Sequence, residues 1–240
     1  HLDYLRGLLG PIDVVRSKLG GMQDLVRKRS MFPSRVRRFC TTELKVKPLI
    51  AYHERVREET GRETVNAVGI RAGESEARSK MAEWEWSDDF DAWVWRPLIA
   101  WSEQDVIDIH MRHGVRPNPL YLAGATRVGC FPCIFARKAE IALVAERMPE
   151  RIAEIAALEA ETATAMNARA AAKGMPETHA PTMFSGTASA DHEGKRAMTR
   201  LPIIQAVRWA QGGDAVGQGE LFGTDPHPGC ARWGLCETEP

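Results

Sequence analysis

The first half of the chain alternates helical segments with short apolar runs that lack a helical period, and this alternation constrains the fold most. Residues 48–61 have the apolar spacing of a helix, with a proline near the start and a glycine at the end. The runs 65–70 and 93–98 are typical of buried strands. Because helices that connect strands favour parallel pairing, the sequence predicts an α/β fold with a layered parallel sheet and flanking helices.

Three regions differ in their residue patterns. Residues 1–135 contain the alternating segments and are expected to form the α/β domain. Residues 136–175 have a helical period and predict a helical extension, which Pro149 kinks or divides. Residues 176–240 are rich in loop-forming residues and predict a loop-rich C-terminal segment that carries Cys230 and Cys236. The chain starts within a predicted helix, so we expect further residues before His1.

The overall charge, the hydropathy and the cysteine content exclude several classes of protein. Lys and Arg total 32, as do Asp and Glu, so no global field attracts nucleic acid or membranes. No apolar run approaches the length of a membrane span. Five unevenly spaced cysteines do not resemble a secreted disulfide framework, and we expect a cytoplasmic protein. The basic stretch 26–47 is either a solvated face or a local contact for nucleic acid.

The sharpest local motif is the pair Cys130 and Cys133. The turn between them brings both sulfurs to the same side, so the pair can bind one metal ion or one cluster. A redox dithiol and two buried core cysteines are the alternatives. A metal centre needs about four ligands, and the remaining cysteines are Cys40, Cys230 and Cys236.

A second motif follows the first predicted strand and contains Arg71, Ser75 and Arg78. Ligands of open α/β sheets bind at the carboxyl ends of strands, where this motif begins. Guanidinium groups match phosphate and sulfate because they donate paired hydrogen bonds. The motif therefore predicts an anion site, with surface ion pairing as the alternative.

Taken in order, five motifs resemble the phosphoadenosine phosphosulfate (PAPS) reductase family of the adenine-nucleotide α-hydrolase-like superfamily. That superfamily also includes thiolation enzymes for tRNA and DNA. The resemblance covers about residues 1–140. The motifs are Cys40 with Lys45-Val46-x-Pro48-Leu49; Gly69-Ile70-Arg71-x-x-Glu74-Ser75-x-x-Arg78; Arg96-Pro97-Leu98-x-x-Trp101-x-x-x-Asp105-Val106; Pro119-Leu120-Tyr121-x-x-Gly124; and Val128-Gly129-Cys130-x-Pro132-Cys133.

The resemblance implies a Rossmann-like sheet that binds an adenine nucleotide, either ATP or PAPS. It places four residues near the charged groups of the nucleotide: Lys45, Arg71, Ser75 and Arg78. In cluster-bearing members, a tandem cysteine pair and a C-x-x-C motif hold a [4Fe-4S] cluster. Cys40 matches the second cysteine of the tandem pair, and Cys130 and Cys133 match the C-x-x-C.

The chain departs from the family pattern at three places. Phe39 occupies the position of the first tandem cysteine, so we expect the fourth ligand to be Cys236, with Cys230 as the alternative. The family's Glu-Cys-Gly-Leu-His segment, whose cysteine attacks the sulfate, is replaced by Gly-Leu-Cys236, so no catalytic residue is assigned. The family's N-terminal Ser-Gly-Gly-x-Asp-Ser phosphate loop is absent, which we interpret as truncation rather than loss.

These features support one principal functional hypothesis and several alternatives. The principal hypothesis is an oxidoreductase or sulfurtransferase that acts on an adenine (sulfo)nucleotide with an iron–sulfur cluster. One alternative is an ATP-dependent thiolation enzyme for nucleic acid. Another is a non-catalytic protein that is stabilised by zinc and binds nucleic acid through residues 26–47. A third is a non-catalytic partner subunit that docks on another chain through residues 176–200 and the C-terminal tail. A protein partner or a homo-oligomer is a further expectation.

Overall fold

The computed structural model describes residues 1–34, 36–176, 180–187 and 198–212. The chain divides into two compact units. Unit 1 contains His1–Lys18 and Thr41–Pro117, and unit 2 contains Leu19–Cys40 and Asn118–Pro240. The predicted division into residues 1–135, 136–175 and 176–240 stays a prediction.

Helices account for most of the regular structure in the described residues, and none of those helices is both long and apolar enough to cross a membrane. A π-helical turn (Thr42–Val46) precedes α4, and a 3-10 turn (Ala72–Glu74) precedes α5. The α-helices are Leu2–Leu9 (α1), Met22–Arg29 (α2), Phe39–Thr41 (α3), Lys47–Thr60 (α4), Glu76–Ser79 (α5), Glu103–Arg112 (α6), Pro119–Leu122 (α7), Lys138–Arg147 (α8), Pro149–Ala172 (α9) and Ile203–Ala210 (α10).

Unit 1 contains a three-stranded sheet in the order β1-β3-β2. Strand β1 (Val65–Ala67) is parallel to β3 (Ala92–Trp95), which agrees with the predicted α/β class. Strand β2 (Trp84–Ser87) pairs with β3 in the antiparallel direction, so the sheet is mixed rather than wholly parallel. The reason is the short connection from β2 to β3, because a parallel pair needs a crossover of a dozen or more residues.

Helix α4 contacts the residues immediately before β1 and β3. The buried His53 contacts the Thr64 hydroxyl through Nδ1 at 2.8 Å and lies against the ring of Phe90. Burial lowers the pKa of His53, so the neutral ring is the favoured form in the folded chain. The side chains of Ala92 and Val94 are buried in unit 1, as the alternation of a half-buried strand requires.

Unit 2 is built around a hydrophobic core that α2, α8, α9 and α10 share. The helical period of residues 136–175 is confirmed, and the chain leaves the helical conformation at Met148, immediately before Pro149. The core side chains are Val26, Phe32, Ile134, Ile141, Val144, Ile152, Ile155, Leu158, Met183, Phe184, Ile203 and Ala206.

The C-terminal segment contains more regular structure than its composition predicts. Strand β4 (Phe184–Thr187) pairs antiparallel with β5 (Met198–Leu201), where a polar loop was expected. Phe184 belongs to the hydrophobic core, so burial stabilises a strand that has little periodic signal of its own.

Candidate functional site

The predicted anion site lies in unit 1, directly after β1. Arg71 is extended (φ −124°, ψ 146°), and the next residue donates its backbone N–H to the Ile99 carbonyl at 2.8 Å. The 3-10 turn then leads into α5, whose N-cap is Ser75. This short path brings the side chains of Arg71 and Arg78 to the same turn.

A single carboxylate, Glu74, joins the two guanidinium groups. Its Oε1 lies 3.7 Å from Arg71 Nε, and its Oε2 contacts Arg78 Nη1. The side chains of Arg71, Glu74 and Arg78 are 22%, 28% and 42% exposed, so a ligand in solution can reach the group. The motif alone assigned no role to Glu74, although its spacing from both arginines is that of ion pairs on a helical turn.

The other two predicted nucleotide ligands have different surroundings. Ser75 Oγ accepts the backbone N–H of Arg78 at 3.3 Å and therefore caps α5. Lys45 is exposed in the π-helical turn, a type of irregularity that is frequent at functional sites. Within the described residues, no hydrogen bond or ion pair joins Lys45 to the arginines. The assignment of all four residues to a nucleotide stays a prediction.

Three of the four predicted metal ligands lie in unit 2. Cys40 in α3 and Cys133 are half-buried and pack against the same hydrophobic core. Cys130 is exposed in the loop between α7 and α8. The fourth predicted ligand, Cys236, and its alternative, Cys230, lie outside the described residues.

The type of donor suits a thiolate-bound metal, but the described thiols do not form a complete ligand set. Thiolates bind both iron–sulfur clusters and structural zinc. Among the residues that the structure describes, no three His, Cys, Asp or Glu side chains are grouped to hold a metal ion. Phe39, at the first cysteine position of the family, lies under the Arg29 guanidinium at 4.7 Å. The metal centre therefore stays a prediction.

A buried carboxylate, Glu140 in α8, connects both ends of the loop that carries the C-x-x-C motif. Its Oε1 accepts the Thr126 hydroxyl at 3.1 Å and lies 3.4 Å from Arg127 Nε. Its Oε2 accepts the backbone N–H of Arg137 at 2.9 Å, which is one half of a capping box. The first turn of α8 therefore restrains the chain before and after the two cysteines.

We expect Glu140→Ala to loosen this loop while unit 2 stays folded. The substitution removes two hydrogen bonds, one of which caps α8, and we expect a local loss of stability of about 1–2 kcal/mol. Hydrogen exchange followed by mass spectrometry should show faster exchange across residues 126–137. Glu146→Ala, at an exposed position of the same helix, should leave the exchange unchanged. Unchanged exchange in Glu140→Ala would contradict the restraint.

Contacts within the protein engage part of the basic stretch 26–47. Arg27 Nε donates to Glu161 Oε1 at 2.9 Å, and Lys47 Nζ lies 3.0 Å from Glu43. Acidic residues of the protein itself therefore compensate part of the positive charge of this stretch. Contact of this stretch with nucleic acid stays a prediction.

Comparison with known proteins places these motifs in a family. A family model described as the phosphoadenosine phosphosulfate reductase domain matches residues 12–136, which is more than half of the chain. An uncharacterised 37.8 kDa protein of Escherichia phage 186 is 40% identical over 192 residues, 75% of this chain. Adenosine 5'-phosphosulfate reductases of Streptomyces coelicolor and Allochromatium vinosum are 37% and 35% identical over 67 and 65 residues, 28% and 27% of this chain.

The match covers only part of these relatives. The aligned region is 54% of the phage protein and 28% and 25% of the two reductases. The segment that the family model matches contains most of the predicted site residues: Cys40, Lys45, Arg71, Ser75, Arg78, Cys130 and Cys133. The chain therefore belongs to the phosphoadenosine phosphosulfate reductase domain family, as the order of its motifs predicts.

Proposed function

We propose that this chain is part of an enzyme that binds an adenine sulfonucleotide and opens its sulfate–phosphate bond. The observation that carries the proposal is the pair of guanidiniums, Arg71 and Arg78, held on Glu74 just after β1. The family supports this substrate class, and the names of the reductase relatives add adenosine 5'-phosphosulfate (APS) to PAPS as a candidate substrate. Lys45 and Ser75 are the further proposed contacts to the nucleotide.

The arrangement of two arginines around one carboxylate suits an anion that arrives from solvent. Glu74 keeps the two guanidiniums beside each other, and within the described residues neither guanidinium has another hydrogen-bond or ion-pair partner. A partly exposed ion pair contributes only about 0–1 kcal/mol, so its rearrangement costs little. Hydrogen bonds from guanidinium to phosphate or sulfate are stronger than neutral hydrogen bonds and favour the bound state.

The first chemical step that we propose is attack of a thiolate on the sulfuryl sulfur. A sulfur–sulfur bond forms, the sulfur–oxygen bond to the phosphate breaks, and the leaving phosphate takes the electron pair. This step consumes no external oxidant or reductant. Arg71 and Arg78 stabilise the negative charge that develops on the leaving phosphate. The attacking thiolate is not assigned.

Titration of the purified full chain with a panel of nucleotides tests the proposal. We expect APS or PAPS to bind at least about tenfold more tightly than AMP in isothermal titration calorimetry, because the sulfate adds an anionic group for the arginines. Tighter binding of ATP than of either sulfonucleotide would favour the ATP-dependent thiolation enzyme. Absence of binding for all four nucleotides would overturn the proposal.

We further propose that Cys40, Cys130, Cys133 and Cys236 hold a [4Fe-4S] cluster, with Cys230 as the alternative fourth ligand and zinc as the alternative metal. The packing of Cys40 and Cys133 against one core and the restraint of the loop by Glu140 support this assignment. A bound cluster supplies one-electron redox capacity. The attack described above does not depend on it.

Anaerobic purification followed by iron, sulfide and zinc analysis tests the cluster. We expect iron and sulfide in the unmodified chain and loss of nearly all of both in Cys133→Ser, because a cluster needs its thiolate ligands. Two further variants identify the fourth ligand: Cys236→Ala should lose the iron and Cys230→Ala should keep it. The reverse result would assign the fourth ligand to Cys230. A colourless chain that contains zinc and no iron would contradict the iron–sulfur assignment.

A further inference from the structure

Four tryptophans lie together on one face of the sheet in unit 1. Trp84 of β2 is paired with Trp95 of β3, and Trp86 is paired with Trp93. The rings of the first pair are stacked with centroids 5.4 Å apart, and those of the second pair meet edge to face at 5.8 Å. We call this surface, formed by Trp84, Trp86, Trp93 and Trp95, the tryptophan face.

The tryptophan face is open to solvent. Trp84, Trp86 and Trp93 are 49%, 46% and 49% exposed, and the neighbouring Val65 of β1 is 49% exposed on the same side of the sheet. The opposite side of β3 carries the buried Ala92 and Val94. Large contiguous patches of exposed apolar side chains are rare on soluble proteins and usually mark an interaction site.

The segment that carries the tryptophan face is acidic. The segment 83–95 contains Glu83, Glu85, Asp88, Asp89 and Asp91 and no Lys or Arg. Arg96 lies 2.5 Å from Glu85, and Arg57 lies 3.2 Å from Asp91, so two of the carboxylates have cationic partners.

The other three carboxylates have no cationic partner among the residues that the structure describes. Glu83 accepts the indole N–H of Trp95 at 3.1 Å and therefore lies beside the rings. Asp88 and Asp89 are exposed at the turn between β2 and β3, with no ion-pair partner in the described part of the chain. This negative rim repels nucleic acid, anionic membranes and the same face of a second copy, and it attracts cations.

We propose that the tryptophan face binds an extended basic segment of a partner polypeptide. Lys or Arg side chains stack on indole rings by cation–π attraction, and their charge is compensated by the carboxylate rim. The two tryptophan pairs are two residues apart along the strands, which is roughly 7 Å at the rise of a β-strand. An extended peptide presents alternate side chains at the same spacing, so basic residues at alternate positions match the two pairs. This proposal does not rest on the proposed function.

Calorimetric titration of the full chain with a nonapeptide of alternating arginine and glycine tests the proposal. The control peptide has citrulline, the neutral isostere, in place of arginine, and we expect it to bind at least about tenfold more weakly. The double variant Trp86→Ala/Trp93→Ala should weaken binding of the arginine peptide about tenfold. Met111→Ala, which alters an exposed apolar side chain elsewhere in unit 1, should bind like the unmodified chain.

A second variant keeps the test valid if the tryptophan variant does not fold. Asp88→Asn/Asp89→Asn alters only exposed turn residues, and it should weaken binding about threefold and reduce its dependence on salt. Equal binding of the citrulline peptide, or unchanged binding in both variants, would overturn the proposal. Two other results would also overturn the proposal. One is a dimer of the chain that Trp86→Ala/Trp93→Ala abolishes, and the other is binding of a single-stranded oligonucleotide that the same variant abolishes.

Discussion

Replacement of Arg71 by glutamine is expected to weaken the binding of APS or PAPS by about ten- to a hundredfold. Hydrogen bonds to charged groups contribute about 1.5–3 kcal/mol each, and about 1.4 kcal/mol corresponds to a factor of ten. Arg78→Gln should have an effect of similar size, since its guanidinium contacts the same carboxylate, Glu74. Calorimetric titration of each variant measures the change directly.

The double variant Arg71→Gln/Arg78→Gln is expected to lose less affinity than the sum of the two single effects. The two side chains share Glu74, and residues that share a partner do not contribute independently. Arg62→Gln is the matched control, because Arg62 is exposed in unit 1 and lies outside the motif. If Arg71→Gln and Arg78→Gln bind sulfonucleotide as well as Arg62→Gln does, the anion site is elsewhere.

Replacement of Glu159 by alanine is expected to destabilise unit 2 by about 3 kcal/mol, because each buried donor left without a partner costs about 1–3 kcal/mol. Glu159, in α9, accepts the backbone N–H of Met183 at 2.9 Å and that of Ile203 at 3.0 Å. The second of these bonds caps α10, whose own N-cap residue, Pro202, provides no side-chain bond. Denaturant unfolding followed by circular dichroism measures the loss.

The matched control is Glu161→Ala, two positions along the same helix. Glu161 is exposed and pairs with Arg27, so its loss should cost less than about 1 kcal/mol. A similar loss of stability in the two variants would show that burial and capping by Glu159 are not the cause.

Glu159 also makes stability depend on pH. Burial raises its pKa, and the two backbone hydrogen bonds oppose this shift only in part. The folded chain therefore binds this proton more strongly than the unfolded chain, and stability falls as pH rises from the ordinary glutamate pKa through the raised value. In Glu159→Gln this part of the pH dependence should disappear. If the stability of Glu159→Gln falls by the same amount over this pH range, another titrating group causes the pH dependence.

Local chemistry explains which parts of the fold the sequence predicts. Ser102 and Asp105 exchange hydrogen bonds at the start of α6, as their capping-box spacing indicates. Pro149 separates α8 from α9 because proline has no backbone N–H to donate within a helix. These features depend on residues that are near each other in the chain, and so they are readable without the fold.

The contacts made by Glu159 and Glu140 were not predictable in this way. Glu159 lies 24 and 44 positions from its two backbone partners in the sequence. It stabilises the fold because these two N–H groups are buried and have to be hydrogen-bonded. Glu140 reaches back 14 residues to Thr126. Neither spacing has a sequence signature, because only the packing of unit 2 brings these groups together.

The sequence by itself determined the α/β class, the family and the order of the motifs around Arg71, Cys130 and Cys133. It did so because strand and helix periods and short motifs are local patterns. Only the tertiary structure decided that Arg71 and Arg78 share Glu74, and that the tryptophan face lies open while Ala92 and Val94 are buried. Alternation divides a strand between two faces, but which face is covered depends on what packs against the sheet.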